Sequence, residues 1–238
     1  MRAERVRQVR PFASPAARAV PDEAVISIGL ARQGSRATRE VRRDAPGTVG
    51  SRMLKRGMDV VCGAVLLVGA MPIVLPACVA ILIESPGTPF YLQWRSGLGG
   101  RPFRIAKLRT MVAGADRLGP ALTQPIDPRI TRVGSFLRRW SIDEIPQLLN
   151  VLAGQMSLVG PRPELVSIVE TYTARQLEVL RVRPGLTGWA QVNGRDDLPI
   201  PVKLGLELDY VANRTTLRDL AIMARTVRVV LSGGGIKR

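Results

Sequence analysis

From Val60 to Ile83 the chain reads VVCGAVLLVGAMPIVLPACVAILI, twenty-four residues without a charged side chain. A run longer than about eighteen apolar residues predicts a membrane segment, and at about 1.5 Å per residue a straight helix over it reaches ~36 Å, more than a hydrocarbon core of about 30 Å. Pro72 stands near the midpoint and Pro76 about one turn later. A proline inside a helix removes a backbone hydrogen bond and crowds the preceding turn, so a break at Met71-Pro72 is expected. Each half would then hold twelve residues and reach only about 18 Å, too short to span alone, which predicts a re-entrant hairpin.

The charges agree with that topology. Arg52, Lys55 and Arg56 precede the run, and Arg95, Arg101 and Arg104 follow it. Both flanks are therefore positive, and positive flanks favour the cytoplasmic side. Two other readings remain open at this point: a kinked single span, which would put the C-terminal part outside the cell, and a core helix of a soluble protein. The second fits poorly, because the run is apolar all round.

Downstream, Ser85-Pro86-Gly87-Thr88-Pro89 is turn material. Phe90–Trp94 and Pro102–Ile105, separated by Gly97-Leu98-Gly99-Gly100, predict a short β-hairpin. Helices are expected over Ile142–Leu152, Pro163–Val182 and Leu217–Leu231, with little further sheet. Residues 1–56 show no apolar period, and they carry thirteen basic residues against five acids, so they predict a disordered basic arm. A cleaved signal peptide is not expected, since the apolar run begins some sixty residues in. The resulting fold class is α+β and mostly α: a basic arm over 1–50, a membrane-embedded re-entrant helix-hairpin over 51–84, and a small cytoplasmic catalytic domain over 85–238 containing the β-hairpin.

Composition narrows the chemistry. The 238 residues contain no histidine, which excludes Ser-His-Asp triads, Cys-His dyads and His-ligated metals. Cys62 and Cys78 both lie inside the apolar run, where they read as small packing residues. A net charge of +16 calls for an anionic partner. Nucleic acid is not favoured, because aromatic residues make up only 4% and no RNA- or DNA-binding motif is present. The Asn213-Arg214-Thr215 glycosylation pattern is short enough to arise by chance.

Ser141-Ile142-Asp143-Glu144 admits two readings. One is a capping box, with Ser141 at the N-cap and Glu144 at the third helical position. The other takes the adjacent carboxylates, preceded by Arg138 and Arg139, as a nucleophile and a magnesium ligand beside phosphate-binding arginines. Gly160-Pro161-Arg162-Pro163 presents one guanidinium on a rigid turn before an expected helix, which suits a phosphate. Lys107 and Arg109 would share a face if their segment is extended. Arg183-Pro184-Gly185-Leu186-Thr187-Gly188-Trp189 is a Gly/Pro loop with an aromatic.

The order of these motifs behind one membrane segment resembles the bacterial sugar transferase family, the monotopic polyprenyl-phosphate phosphoglycosyl transferases that prime exopolysaccharide and related glycans. The resemblance runs from about Lys55 to Lys237. It is carried by Lys55-Arg56-Gly57-Met58-Asp59, Glu84-Ser85-Pro86-Gly87, Lys107-Leu108-Arg109-Thr110-Met111, and Asp143-Glu144-Ile145-Pro146-Gln147-Leu148. It continues through Asn150-Val151-Leu152, Gly154 to Pro163, and Arg183 to Arg195. One departure is that Met71-Pro72 stands where the family often has Ser-Pro.

The resemblance implies a ping-pong transfer. Asp143 attacks the β-phosphate of a nucleotide diphospho-sugar, a UDP-hexose in the family's commonest case, and a nucleoside monophosphate leaves. Undecaprenyl phosphate then takes the sugar-phosphate from the aspartate. Glu144 would hold Mg²⁺, and Lys107, Arg109, Arg138, Arg162 and Arg195 match family positions rich in cations, which we assign to phosphate binding; locking the Asp143-Glu144 helix against the membrane surface is the alternative role open to them. Expected partners are the nucleotide sugar, the polyprenyl phosphate and anionic inner-leaflet lipid at the cytoplasmic membrane, with no nucleic acid. A homo-oligomer is compatible with the sequence. The competing class is an inactive membrane-tethered scaffold of the same fold, against which the intact Asp143-Glu144 pair argues.

If the arm's arginines hold anionic lipid at about 1 kcal/mol per residue, deleting residues 1–50 will weaken binding to vesicles that contain anionic lipid, and the difference will shrink in high salt. Vesicle flotation of the truncated and full chains checks this, and equal binding at low salt would refute it.

Overall fold

The computed structural model describes residues 49–119, 127–194 and 197–232. The expected basic arm therefore lies almost wholly outside the described residues. Helix α1 (Val49–Glu84) takes up the entire apolar run in 36 residues, and Pro72 and Pro76 both lie inside it. The break expected at Met71-Pro72 does not interrupt the helix. Each proline removes one rung of the i to i−4 ladder; the rungs on either side persist, so the helix is locally weakened and able to bend without ending.

Among the described residues, α1 is the one helix long and apolar enough to cross a membrane. One stripe of it packs on the rest of the protein: Asp59, Gly63, Leu67, Ala70, Val74, Ala77 and Ile81 recur at steps of three and four. The remaining faces expose Val61, Val65, Val68, Ile73, Leu75, Val79 and Ile83. Only 17% of its most apolar window is buried, which overturns the soluble-core reading. Both ends of α1 sit on the same domain. Near its start, Lys55 Nζ donates to Asp219 Oδ2 at 2.6 Å, while Asp59 accepts from Ser157 Oγ at 2.8 Å and from Leu158 N at 3.0 Å. Just past its far end, Arg109 donates to the carbonyls of Ser85 and Pro86, each at 2.6 Å.

The expected hairpin is present. Strands β1 (Phe90–Ser96) and β2 (Pro102–Leu108) pair antiparallel, with Phe90 opposite Leu108 and Ser96 opposite Pro102. Gly99 and Gly100 turn the chain at φ +64° and +74°, a region glycine enters without strain. The alternation in β1 is inverted: Phe90, Leu92 and Trp94 are exposed, whereas Tyr91, Gln93 and Arg95 are half-buried. The polar set thus faces inward, on the same side as Lys107, which pairs with Tyr91.

Helix α2 (Arg132–Arg139) leads through a 3-10 turn at Ile142–Glu144 into α3 (Gln147–Leu152). The single helix expected over Ile142–Leu152 is therefore split at Pro146, which lacks the N–H that would join its two parts. Strand β3 (Ser157–Val159) follows, then α4 (Val166–Val169), a 3-10 turn at Gln176–Arg181 and β4 (Gly185–Thr187). β3 and β4 pair in parallel, Ser157 opposite Gly185. The long helix expected over Pro163–Val182 is broken because Thr173 and Gln176 cap one another: Thr173 N donates to Gln176 Oε1 at 2.8 Å, and Gln176 N to Thr173 Oγ1 at 3.4 Å. The chain closes with α5 (Trp189–Val192), α6 (Ile200–Ala212), which the sequence pattern did not predict, and α7 (Thr216–Ser232), which it did.

The main core joins Phe103 and Ile105 of β2, Leu148 and Val151 of α3, Leu158 and Val159 of β3, Tyr210 of α6 and Ile222 of α7. The two Gly/Pro loops interlock behind it. A Cβ on Gly185 would lie 2.0 Å from Gly160 N, and one on Gly188 would lie 2.1 Å from Gly160 O. These glycines are required by backbone-to-backbone approach. Gly205, inside α6, has nothing within 4 Å of its Cβ position. Thermal denaturation should separate the two sites: Gly185→Ala is expected to lose about 3 kcal/mol or more through backbone displacement, whereas Gly205→Ala should gain roughly 0.5–1 kcal/mol from helix propensity.

Candidate active site

The acid pair sits on the 3-10 turn between α2 and α3. Ser141, which enters the turn, lies at φ +55°, ψ +23°, the one non-glycine residue with positive φ among the described residues. A left-handed conformation costs a non-glycine residue roughly 1–2 kcal/mol, so the surrounding packing must hold it there. The capping-box reading fails, because Ser141 makes no side-chain cap bond and α3 starts only at Gln147. Glu144 turns instead to cations: its Oε1 accepts from Arg162 Nη2 at 2.9 Å and lies 3.5 Å from Lys107 Nζ.

Asp143 is 8% exposed. Burial pushes its carboxyl above the ordinary carboxylate range, the neighbouring Glu144 charge pushes it further, and Lys107, Arg138 and Arg162 pull it back. Burial likewise draws the Lys107 ammonium down from its ordinary value, with Glu144 opposing. Three elements deliver these cations: Lys107 from β2, Arg138 from the last turn of α2, and Arg162 from the loop after β3. Arg138 is steadied by its Nε bond to Thr110 Oγ1 at 2.8 Å.

The Arg162 loop is held from both sides. Its backbone N–H donates to Glu207 Oε1 at 3.1 Å. Arg95 donates to the Pro163 carbonyl at 3.2 Å and to Gln93 Oε1 at 2.6 Å and 3.2 Å, and its Nη1 is 3.9 Å from Glu164 Oε2. Glu164 also pairs with Lys203 of α6, which holds its carboxyl low although burial opposes. Asn150 fastens α3 to the strand that carries Lys107: its Oδ1 accepts from Ala106 N at 3.0 Å, and its Nδ2 donates to the Arg104 carbonyl at 2.8 Å.

Of the residues singled out from sequence, Asp143, Glu144, Lys107, Arg138 and Arg162 come together. Arg109 does not. Strand β2 ends at Leu108, and Arg109 turns away to the carbonyls closing α1. Arg195 lies outside the described residues. Trp189 stacks under Arg218 and Arg225, at 4.8 Å and 5.2 Å to its ring centre, and Arg183 donates to the Gly154 carbonyl, so that loop serves packing.

The sequence matches the family described as bacterial sugar transferase over residues 50–233, which contain the whole of this arrangement. The chain belongs to the bacterial sugar transferase family. The transferase is 47% identical over 186 residues to a UDP-glucose:undecaprenyl-phosphate glucose-1-phosphate transferase of Caulobacter vibrioides, covering 75% of this chain and 70% of the relative. It is 41% identical to the uncharacterized sugar transferase EpsL of Bacillus subtilis, covering 78% of this chain and 91% of the relative. The Escherichia coli protein named as another UDP-glucose:undecaprenyl-phosphate glucose-1-phosphate transferase is 40% identical, across 77% of this chain and 41% of that protein.

Sequence reasoning missed Arg95, Glu164, Lys203 and Glu207. The signal for Arg95 was the inverted alternation of β1, with polar residues where a core face is usual. Lys203 and Glu207 were hidden because α6 itself was not predicted. Burial pushes the Glu207 carboxyl up to about 7, against the pull of Lys203 and the Arg162 N–H. A carboxyl whose folded value exceeds its unfolded one binds protons more tightly when folded. The contribution of Glu207 to stability is then greatest at acid pH and falls as pH rises from the unfolded value through about 7. Glu207→Gln removes the titration but keeps an acceptor for Arg162 N. It should flatten that fall and stabilise the transferase at pH 8 by about 1–3 kcal/mol, read from denaturation at acid and alkaline pH.

Proposed function

We propose that the transferase moves a sugar-1-phosphate from a nucleotide diphospho-sugar, a UDP-hexose, to undecaprenyl phosphate through a covalent intermediate on Asp143, at the cytoplasmic face of the bacterial inner membrane. The observation that carries this reading is the buried Asp143 beside Glu144, within the field of Lys107, Arg138 and Arg162. A carboxylate with no histidine partner is a competent nucleophile at phosphorus when cations neutralise the incoming phosphates. The names of the Caulobacter and Escherichia relatives support both the donor and the acceptor class.

In the first step an Asp143 carboxylate oxygen bonds to the β-phosphorus, the bond to the bridging oxygen breaks, and the nucleoside monophosphate departs with that electron pair. Arg162 and Lys107, already on Glu144, are placed to meet the phosphate oxygens. In the second step an oxygen of undecaprenyl phosphate attacks the same phosphorus, and the Asp143 carboxylate is released. The residues fit a Mg²⁺ ion. Two adjacent carboxylates are at hand, and Mg²⁺ is commonly held by one or two carboxylates plus substrate phosphates. Bound through Glu144, it would supply charge neutralisation on the diphosphate. It would also relieve the repulsion that raises Asp143.

The placement of α1 supports a monotopic arrangement, in which a bend at Pro72 and Pro76 would let the helix enter and leave the bilayer on one face. Both of its ends seat on one domain, whereas a helix crossing the bilayer would carry its ends to opposite faces. With both flanks positive, that face is the cytoplasmic one, where nucleotide sugars reside.

Intact mass after incubation with Mg²⁺ and UDP-hexoses, without acceptor, tests the proposal. Wild type should gain one hexose-phosphate and Asp143→Asn none; an adduct on both, or on neither, would refute it. The rate of adduct formation should fall on acidification, because only the carboxylate attacks. Glu144→Gln should slow it on the order of a hundredfold.

A further inference from the structure

The catalytic turn joins α2 to α3, and each of those helices is gripped at its far end by α1. At the start of α2, Glu84 accepts from Arg132 N at 2.8 Å and from Val133 N at 3.0 Å, satisfying N–H groups that a first turn leaves without helical partners. At the end of α3, Arg56 donates to the carbonyls of Val151 and Leu152 at 2.7 Å and 2.8 Å, answering the orphan acceptors of the last turn. Gly63 brings the two backbones close, with its Cβ position 3.5 Å from both Val151 and Leu152. Ile142 and Ile145, which bracket the acid pair, pack against a cluster in which Val74, Ala77 and Ile81 of α1 meet Leu108 of β2 and Leu137 of α2. The weakened stretch at Pro72 and Pro76 therefore lies between the two grips, beside the seat of the turn.

We propose that α1 sets the geometry of the Asp143-Glu144 turn, with Arg56 and Glu84 as positioning residues, so that the seating of this helix in lipid governs the rate of phosphoryl transfer. The inference rests on the function proposed above. A displacement on the order of 1 Å at the attacking group can cost a hundredfold in rate, and two hydrogen-bonded ends are the means by which a bend in α1 would reach Asp143. Of the three cations, Lys107 on β2 and Arg162 after β3 lie outside the two gripped helices and Arg138 alone rides on α2, so donor binding is expected to change far less than the rate.

The test uses the full chain in lipid nanodiscs, with UDP-glucose and other UDP-hexoses as probe donors, and follows single-turnover labelling per folded molecule. Arg56→Ala and Glu84→Ala should each lower the rate at saturating donor by about tenfold or more, with the half-saturating donor concentration within about twofold of wild type. Glu84→Gln, whose amide oxygen still accepts one N–H, should recover most of the rate. Folded alanine variants that label at the wild-type rate, or whose loss lies wholly in donor saturation, would overturn the inference alone. Should an alanine variant not fold, the wild type decides. Its saturated rate should change between short-chain and long-chain lipid while donor saturation does not, and an unchanged rate would overturn the proposal. Absence of any adduct on wild type would instead overturn the transferase reading, and this inference with it.

Discussion

Two adjacent carboxylates withdrawn from water repel each other and lose hydration, and a fold that places them together must supply compensating positive charge from elsewhere in the chain. Most of the site's construction follows from that requirement. Asp143 and Glu144 are fixed on a turn of three residues, too short to carry its own cations. The charge arrives from β2, from the end of α2 and from the loop after β3. Compensation is incomplete, since Asp143 stays above the ordinary carboxylate range.

The cations are themselves buried enough to need support. Arg162 is anchored through its backbone to Glu207, and the next turn of the loop is held by Arg95 and by the Glu164 pair with Lys203. Charge thus alternates outward from the acid pair: carboxylates, then cations, then a second tier of carboxylates. Glu207 is the outlier of that tier, buried deeply enough that its carboxyl resists ionisation near neutrality. Its backbone contact with Arg162 N needs only an oxygen acceptor, which either protonation state provides.

Much of this was legible in the sequence because it is written in local terms. An uncharged run of twenty-four residues, a Gly-rich hairpin turn and adjacent acids after paired arginines each declare themselves within a few positions. What could not be read was long-range. Lys107 and Arg109 look equivalent two residues apart, yet the strand ends between them, and they part company toward Glu144 and toward the end of α1. Thr173 and Gln176 cap one another and break a helix whose apolar content suggested continuity. Helix α6 escaped notice because its apolar residues form no clean stripe, and with it went the second tier of charge. Local propensity also misjudged Pro72 and Pro76, since a loss of isolated rungs does not oblige a long helix to stop.

The membrane helix and the acid pair belong to one construction. On the function proposed above, a donor from water and an acceptor from the bilayer need one reacting group that both can reach, which confines it to the boundary between the two. A turn placed there cannot be buried on all sides by its own small domain. Here Val74, Ala77 and Ile81 of α1 join Leu108 and Leu137 in the cluster against which Ile142 and Ile145 pack, while the other faces of α1 remain apolar and exposed. The same helix can therefore contribute to the core beside Asp143 while its other faces stay apolar and exposed. This explains why its packed positions recur along nearly its whole length from Asp59 to Ile81, where a plain anchor would have needed only a tether at one end.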